Sequence, residues 1–128
     1  MEKKQPGAIL WHDLTVPDAA AVSEFYKQVV GWEKIELSMG DYDDYLMKHA
    51  DNGPQGAEAG ICHARGGNAY LPPQWLVYVV VDNLEHSLAQ CTALGGKVLG
   101  EQRKMGKDAI YCLIQDPAGA YMMLYQQF

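Results

Sequence analysis

The sequence predicts an α+β fold of two pseudo-symmetric βαβββ modules whose sheets curl around a central cavity, and three observations carry that expectation. A strand-like run ending in Asp, Trp11-His12-Asp13-Leu14-Thr15-Val16-Pro17-Asp18, returns as Trp75-Leu76-Val77-Tyr78-Val79-Val80-Val81-Asp82. In both copies a helix-like stretch follows, and a Gly closes it thirteen residues after the Asp, at Gly31 and Gly95. Short β-prone segments separated by turn residues come after each Gly. A β-branched run, a capping Asp, about three helical turns and a terminating Gly make up half of a βαβββ unit.

At 128 residues the chain has the size of one domain, with modules expected at about residues 7–66 and 73–128. In the first, residues 9–16 alternate like a strand with one buried face, placing Leu10, His12, Leu14 and Val16 opposite Trp11, Asp13 and Thr15. Asp18 then caps a helix to about Val30, whose Val22, Phe25, Tyr26 and Val29 form an apolar stripe. Strands are expected at residues 32–37 and 45–49, joined by the turn Met39-Gly40-Asp41. A loop over Asp51-Asn52-Gly53-Pro54-Gln55-Gly56 and a strand at residues 59–64 complete the module, and the Gly- and Pro-containing residues 65–73 read as a hinge.

The second module opens on residues 74–81, whose continuous Val content predicts a central strand buried on both faces. Asp82 is expected to cap a helix with Leu84, Leu88, Cys91 and Leu94 along its buried side, stopped by Gly95-Gly96. Residues 97–99, 109–115 and 120–126 supply the remaining strands, with Asp116-Pro117-Ala118-Gly119 as the last turn. The charged residues 101–108 read as a loop, in which Arg103, Lys104 or Lys107 would meet an anionic ligand.

A formal net charge of −6 disfavours a phosphate-binding surface, so nucleic acid is not an expected partner. No apolar run reaches membrane-spanning length and the N-terminus lacks a signal-peptide core, so the expected location is the cytoplasm. Cys62, Cys91 and Cys112 are odd in number and widely spaced, consistent with free thiols in a reducing compartment.

The ordered set of Asp18, Phe25-Tyr26, Gly31-Trp32, Val81-Asp82, Leu94-Gly95-Gly96 and Asp116-Pro117-Ala118-Gly119-Ala120 resembles the vicinal oxygen chelate superfamily, which includes glyoxalase I, bleomycin-resistance proteins and extradiol dioxygenases. Within it, the first strand and Pro73-Gln74-Trp75-Leu76-Val77-Tyr78 are similar to a glyoxalase-like group of unassigned activity. The resemblance implies a small-molecule cavity and a homodimer. It also implies a divalent metal held by His, Glu or Gln from the first and last strand of each module. Here those positions fall on Trp11, Leu76 and Met123, with the fourth somewhere in residues 58–63, where Glu58, Cys62 or His63 would stand. No cofactor is therefore expected. The alternative is a non-standard divalent site of His12, Glu58 and His63, which requires the first strand to slip by one residue.

Without a metal, Asp13 is the candidate catalytic group, a carboxylate on an otherwise apolar face whose burial would raise its pKa. It serves equally as a structural acceptor bonded to a backbone amide or to Tyr78. The aromatic set Trp11, Trp75, Tyr78, Tyr111, Tyr121 and Tyr125 offers material for a pocket. Alternation selects Tyr78, Met123 and Tyr125 as wall residues, with Trp11, Asp13 and Thr15 as further ligand contacts. Trp75 points the other way, toward a helix or a partner subunit. Cys62 and His63 are consecutive on a strand and so form no nucleophile-base couple. The expected function is binding or sequestering an apolar or aromatic metabolite. Competing expectations are a divergent lyase or isomerase using Asp13 or a non-standard divalent metal site near His12, and an interaction protein whose cavity is filled by its own side chains.

Overall fold

The structure, a computed structural model, describes residues 3–49 and 56–128. Met1, Glu2 and all but the last residue of the expected loop at residues 51–56 lie outside the described residues. Eight strands and two helices follow one another as β1 (Ile9–Val16), α1 (Ala19–Val30), β2 (Glu33–Ser38), β3 (Asp43–Lys48), β4 (Ala57–His63), β5 (Leu76–Val80), α2 (Leu84–Ala93), β6 (Lys97–Met105), β7 (Ala109–Gln115) and β8 (Tyr121–Gln127). The order is βαβββ twice, as the repeat predicts. Contacts divide the chain into two compact units, His12–Trp75 and Met1–Trp11 with Leu76–Phe128.

In the unit His12–Trp75 the strands lie in the order β2-β3-β4-β1, with β1 parallel to β4. Asp18 caps α1 by accepting a hydrogen bond from the Ala21 N–H (3.0 Å), and Gly31 ends the helix in the left-handed conformation (φ 88°) that costs other residues strain. Leu14, Val16, Ala19, Tyr45, Met47 and Ile61 form the core, with Val22, Tyr26, Trp32 and Trp75 packed against it. The expected stripe on α1 is rotated. Ala19 and Ser23 are fully buried, whereas Phe25 and Val29 are exposed. Small side chains at successive turns let the helix backbone approach the sheet, and that turns Phe25 and Val29 outward.

In the other unit the order is β5-β8-β7-β6, and the free side of β5 is met by the N-terminal segment, where Gly7 N–H donates to Val80 O (2.7 Å) and Val80 N–H to Ala8 O (2.9 Å). Leu76, Tyr78 and Val80 are buried while Val77 and Val79 are half-buried, so β5 is interior but covered more fully on one face. Three expectations need correction. The cap of α2 is Asn83, not Asp82: Asn83 Oδ1 accepts from the His86 N–H at 2.9 Å. Leu94 lies beyond the last helical turn and is exposed, leaving Leu84 and Leu88 to pack with Cys112 and Leu124. Finally, β6 runs to Met105 instead of ending at Leu99, so Arg103 and Lys104 are strand residues. Charged side chains suit β6 because it is a sheet edge, and its ladder to β7 is interrupted between Leu99 and Arg103.

The last turn forms as expected, with Asp116 Oδ1 accepting the N–H groups of Ala118 (2.8 Å) and Ala120 (3.0 Å). The expected hinge contains a short 3-10 turn, Gly66–Asn68, in which the Asn68 side chain accepts the Arg65 N–H and donates to His63 O.

Candidate functional site

The chemistry-bearing face of the unit His12–Trp75 follows from strand register. In a parallel pair, residues opposite each other share a face, and here Asp13 lies opposite Gly60 and Thr15 opposite Cys62. Glycine at position 60 leaves room beside Asp13. The Cys62 thiol, on the same face, points at the carboxylate, its Sγ lying 3.6 Å from Asp13 Oδ2 and 3.8 Å from Oδ1. Burial is the main cause pushing the Cys62 thiol well above its ordinary range, and the negative charges of Asp13 and Asp44 add to it. Cys62 is therefore a protonated donor toward carboxylate, with none of the thiolate character a nucleophile requires. Asp44 is itself buried, and its Oδ1 accepts the His63 N–H at 2.9 Å.

The structure thus puts Asp13 and Thr15 on one face, with Thr15 buried and Asp13 half-buried, and adds Cys62 and Asp44, which sequence reasoning missed as partners. The missing signal was the register of β1 against β4. Trp11, the last residue of the other unit's N-terminal segment, is half-buried.

His12 stands on the opposite face from Asp13 and is exposed, its Nδ1 3.3 Å from Glu58 O. It borders a cleft of about 410 Å³ lined by Trp32, Glu58, Ala59 and Trp75 as well. Glu58 accepts a 2.6 Å hydrogen bond from the His49 ring, which holds its carboxyl below the usual range. His63 does not join them. It lies five residues along β4, about 16 Å at the rise of a strand, with its Nδ1 3.0 Å from Asp43 O and 3.5 Å from Asp44 Oδ1. Among the described residues, no group of three or more His, Cys, Asp or Glu side chains gathers as ion ligands.

In the unit containing β5 to β8, Tyr78 lies opposite Met123 in the parallel β5/β8 ladder, and Tyr111 opposite Tyr125 in the antiparallel β7/β8 ladder. All four share one face. The Tyr78 ring is 6.4 Å from that of Tyr111 and 6.5 Å from that of Tyr125, spacings of mutually packed aromatic rings. Met123, beside Tyr78 in the ladder, is fully buried, and burial followed by the charge of Asp108 raises the Tyr125 hydroxyl above its ordinary pKa. A pocket of about 130 Å³ lined by Lys3, Asp108, Tyr125, Gln127 and Phe128 opens beside this group. Arg103 pairs with Tyr111 across the β6/β7 ladder.

Trp75 packs on a helix, one of the two destinations its strand position allowed. Its Nε1–H donates to the Tyr26 hydroxyl at 3.1 Å, and its ring stands edge-on to both Tyr26 (5.3 Å) and Trp32 (5.7 Å).

Two βαβββ units, each with polar or aromatic side chains along one sheet face, define the fold, and comparison with known proteins gives it a family. The chain belongs to the Glyoxalase/Bleomycin resistance protein/Dioxygenase superfamily, whose profile matches residues 8–124. Among curated relatives it is 26% identical over 116 residues to "Putative glyoxylase CFP32" of Mycobacterium tuberculosis, covering 91% of this chain and 42% of that protein. It is also 26% identical over 142 residues to "Anthracycline biosynthesis protein DnrV" of Streptomyces peucetius, covering 99% of this chain and 50% of that one. The chain thus spans about half the length of these relatives. Among solved structures, glyoxalase I from Zea mays superposes with a TM-score of 0.60 at 16% identity, over 95% of this chain and 44% of that one. A methylmalonyl-CoA epimerase variant from Streptomyces coelicolor, in complex with 2-nitronate-propionyl-CoA, superposes with a TM-score of 0.54 at 16% identity, over 96% of both chains. At such identities the likeness is one of fold.

Proposed function

We propose that this chain binds or sequesters an apolar or aromatic small molecule against the rings of Tyr78 and Tyr125, with the fully buried Met123 as their packing support, and without the divalent ion of its superfamily. The observation that carries the reading is the ring group Tyr78, Tyr111 and Tyr125 beside Met123 on one sheet face. Rings of this kind hold a flat ligand by stacking, while their hydroxyls orient it. A relative named for the biosynthesis of anthracyclines, which are aromatic molecules, supports that ligand class.

Donor chemistry supports the metal-free part. Leu76 and Met123 occupy two of the positions the family uses for ligands, both are essentially inaccessible, and neither offers the hard oxygen or imidazole nitrogen that such an ion requires. Trp11, at a third, has an indole nitrogen whose lone pair belongs to the ring. The set does not fit the ion. The reading includes a cytoplasmic homodimer, in which sheet-edge pairing would cover β2 or β6 and the thiols stay reduced.

Titration of the chain with hydroxylated anthraquinones, followed by calorimetry, tests this. Saturable binding that is indifferent to chelator and about tenfold weaker in Tyr78→Ala or Tyr125→Ala is expected. Binding that vanishes with chelator and returns with a divalent ion would defeat it.

A second reading, a lyase or isomerase with Asp13 as general base, is favoured by one observation: the carboxylate is half-buried and receives the Cys62 thiol. Asp13→Asn keeps the shape and removes the basicity. If Asp13 moves a proton, this variant loses turnover by a factor of about 100 or more with ligand affinity retained. Unchanged turnover would leave Asp13 with a supporting role alone.

A further inference from the structure

The cleft lined by His12, Trp32, Glu58, Ala59 and Trp75 lies on the opposite sheet face from Asp13, and neither reading above uses it. Its composition is specific. Trp32 and Trp75 stand with their planes 72° apart and ring centroids 5.7 Å apart, forming two walls of a corner. Tyr26 braces both rings from 6.0 and 5.3 Å. Because the Trp75 N–H is already donated to the Tyr26 hydroxyl, that indole offers the cleft its carbon framework.

Glu58 reaches this corner through a backbone irregularity. Met47 pairs with Ala59 and Lys48 with Ala57, so one extra residue, Glu58, is accommodated at a bulge in β4. A bulge re-aims the side chain it carries. The Glu58 carboxylate is fixed by the His49 ring at 2.6 Å, and its carbonyl lies 3.3 Å from His12 Nδ1. No Lys or Arg is among the described residues lining the cleft, and among those residues the Glu58 carboxylate pairs with the exposed His49 ring, not with an ammonium or guanidinium.

We propose that this cleft is a binding site for a small organic ammonium ion, seated against the Trp32 and Trp75 rings with Glu58 as its counter-charge. The faces of indoles carry negative potential and attract alkylammonium groups, and a neighbouring carboxylate adds to that attraction without requiring a directed hydrogen bond. A volume of about 410 Å³ accommodates a ligand of several heavy atoms. Neutral apolar ligands would receive the packing and forgo both electrostatic contributions. Anions would meet the carboxylate.

The test uses the intact chain, with choline and its uncharged carbon isostere 3,3-dimethyl-1-butanol as probes of equal shape. Binding is read by tryptophan fluorescence and by the indole N–H resonances in a two-dimensional NMR spectrum. Choline should bind saturably and shift the Trp32 and Trp75 indole signals, while the alcohol binds at least about tenfold more weakly. Glu58→Gln, which keeps size and removes charge, should weaken choline about tenfold. Equal binding of both probes, or no saturable choline response at millimolar concentrations, overturns the proposal. The comparison of probes on the unaltered chain stands even if Glu58→Gln proves unstable. Failure here leaves the aromatic-ligand reading untouched, since that site lies on other strands.

Discussion

Cys62 lies between two carboxylates, and its protonation state links this one side chain to the stability of the chain. Burial first, then Asp13 and Asp44, raise its pKa above the ordinary value of 9.0. The sign follows from proton linkage: above about pH 9 an unfolded chain releases this proton while the folded chain retains it, so the stabilising contribution is complete below that pH and is lost as pH rises. Cys112, Tyr45 and Tyr125, all raised mainly by burial, act in the same direction. Urea unfolding midpoints should therefore fall between about pH 8 and about pH 10, and Cys62→Ser should make that fall shallower. A pH profile identical to that of the parent would remove Cys62 from the account.

The two helices show how similar punctuation is used differently. Asp18 caps α1 directly, whereas at the equivalent place Asp82 precedes the true cap, Asn83, by one residue. Asn83→Ala is thus expected to destabilise the chain by about 1 kcal/mol, and Asp82→Ala by less than about 0.5 kcal/mol, measured by urea unfolding. Equal losses would contradict the capping assignment. After α2, adjacent glycines serve separate needs. Gly95 adopts φ 95°, whereas Gly96 is wanted for space, since a Cβ there would come within 2.7 Å of Cys91 Sγ and 2.8 Å of Gln115 O.

Across the whole molecule the family's architecture is retained, and the metal-free function proposed above has core-type side chains standing at the ligand positions inferred from the sequence. Met123 is the clearest instance: it has no solvent exposure, lies opposite Tyr78 on one side and Leu113 on the other, and contributes packing. Met123→Ala is accordingly expected to cost about 2–5 kcal/mol of unfolding free energy, with no dependence on added divalent ions. A loss under about 1 kcal/mol would mean that the position is not core.

Local signals fixed most of the architecture. Apolar alternation, the Asp18 and Gly31 caps, and the Asp116 turn all act within a few residues, so the repeat and nearly every element were legible as sequence. Alternation also placed Asp13 opposite His12, and Tyr78, Met123 and Tyr125 on common faces, because strand side chains repeat with period two. What a linear reading lacked was the pairing of distant segments. The contact of Cys62 with Asp13, the bulge that presents Glu58, the rotation of α1 about Ala19 and Ser23, and the extension of β6 along β7 each depend on which strand lies beside which. Register and packing join residues tens of positions apart, and no window of sequence contains both partners.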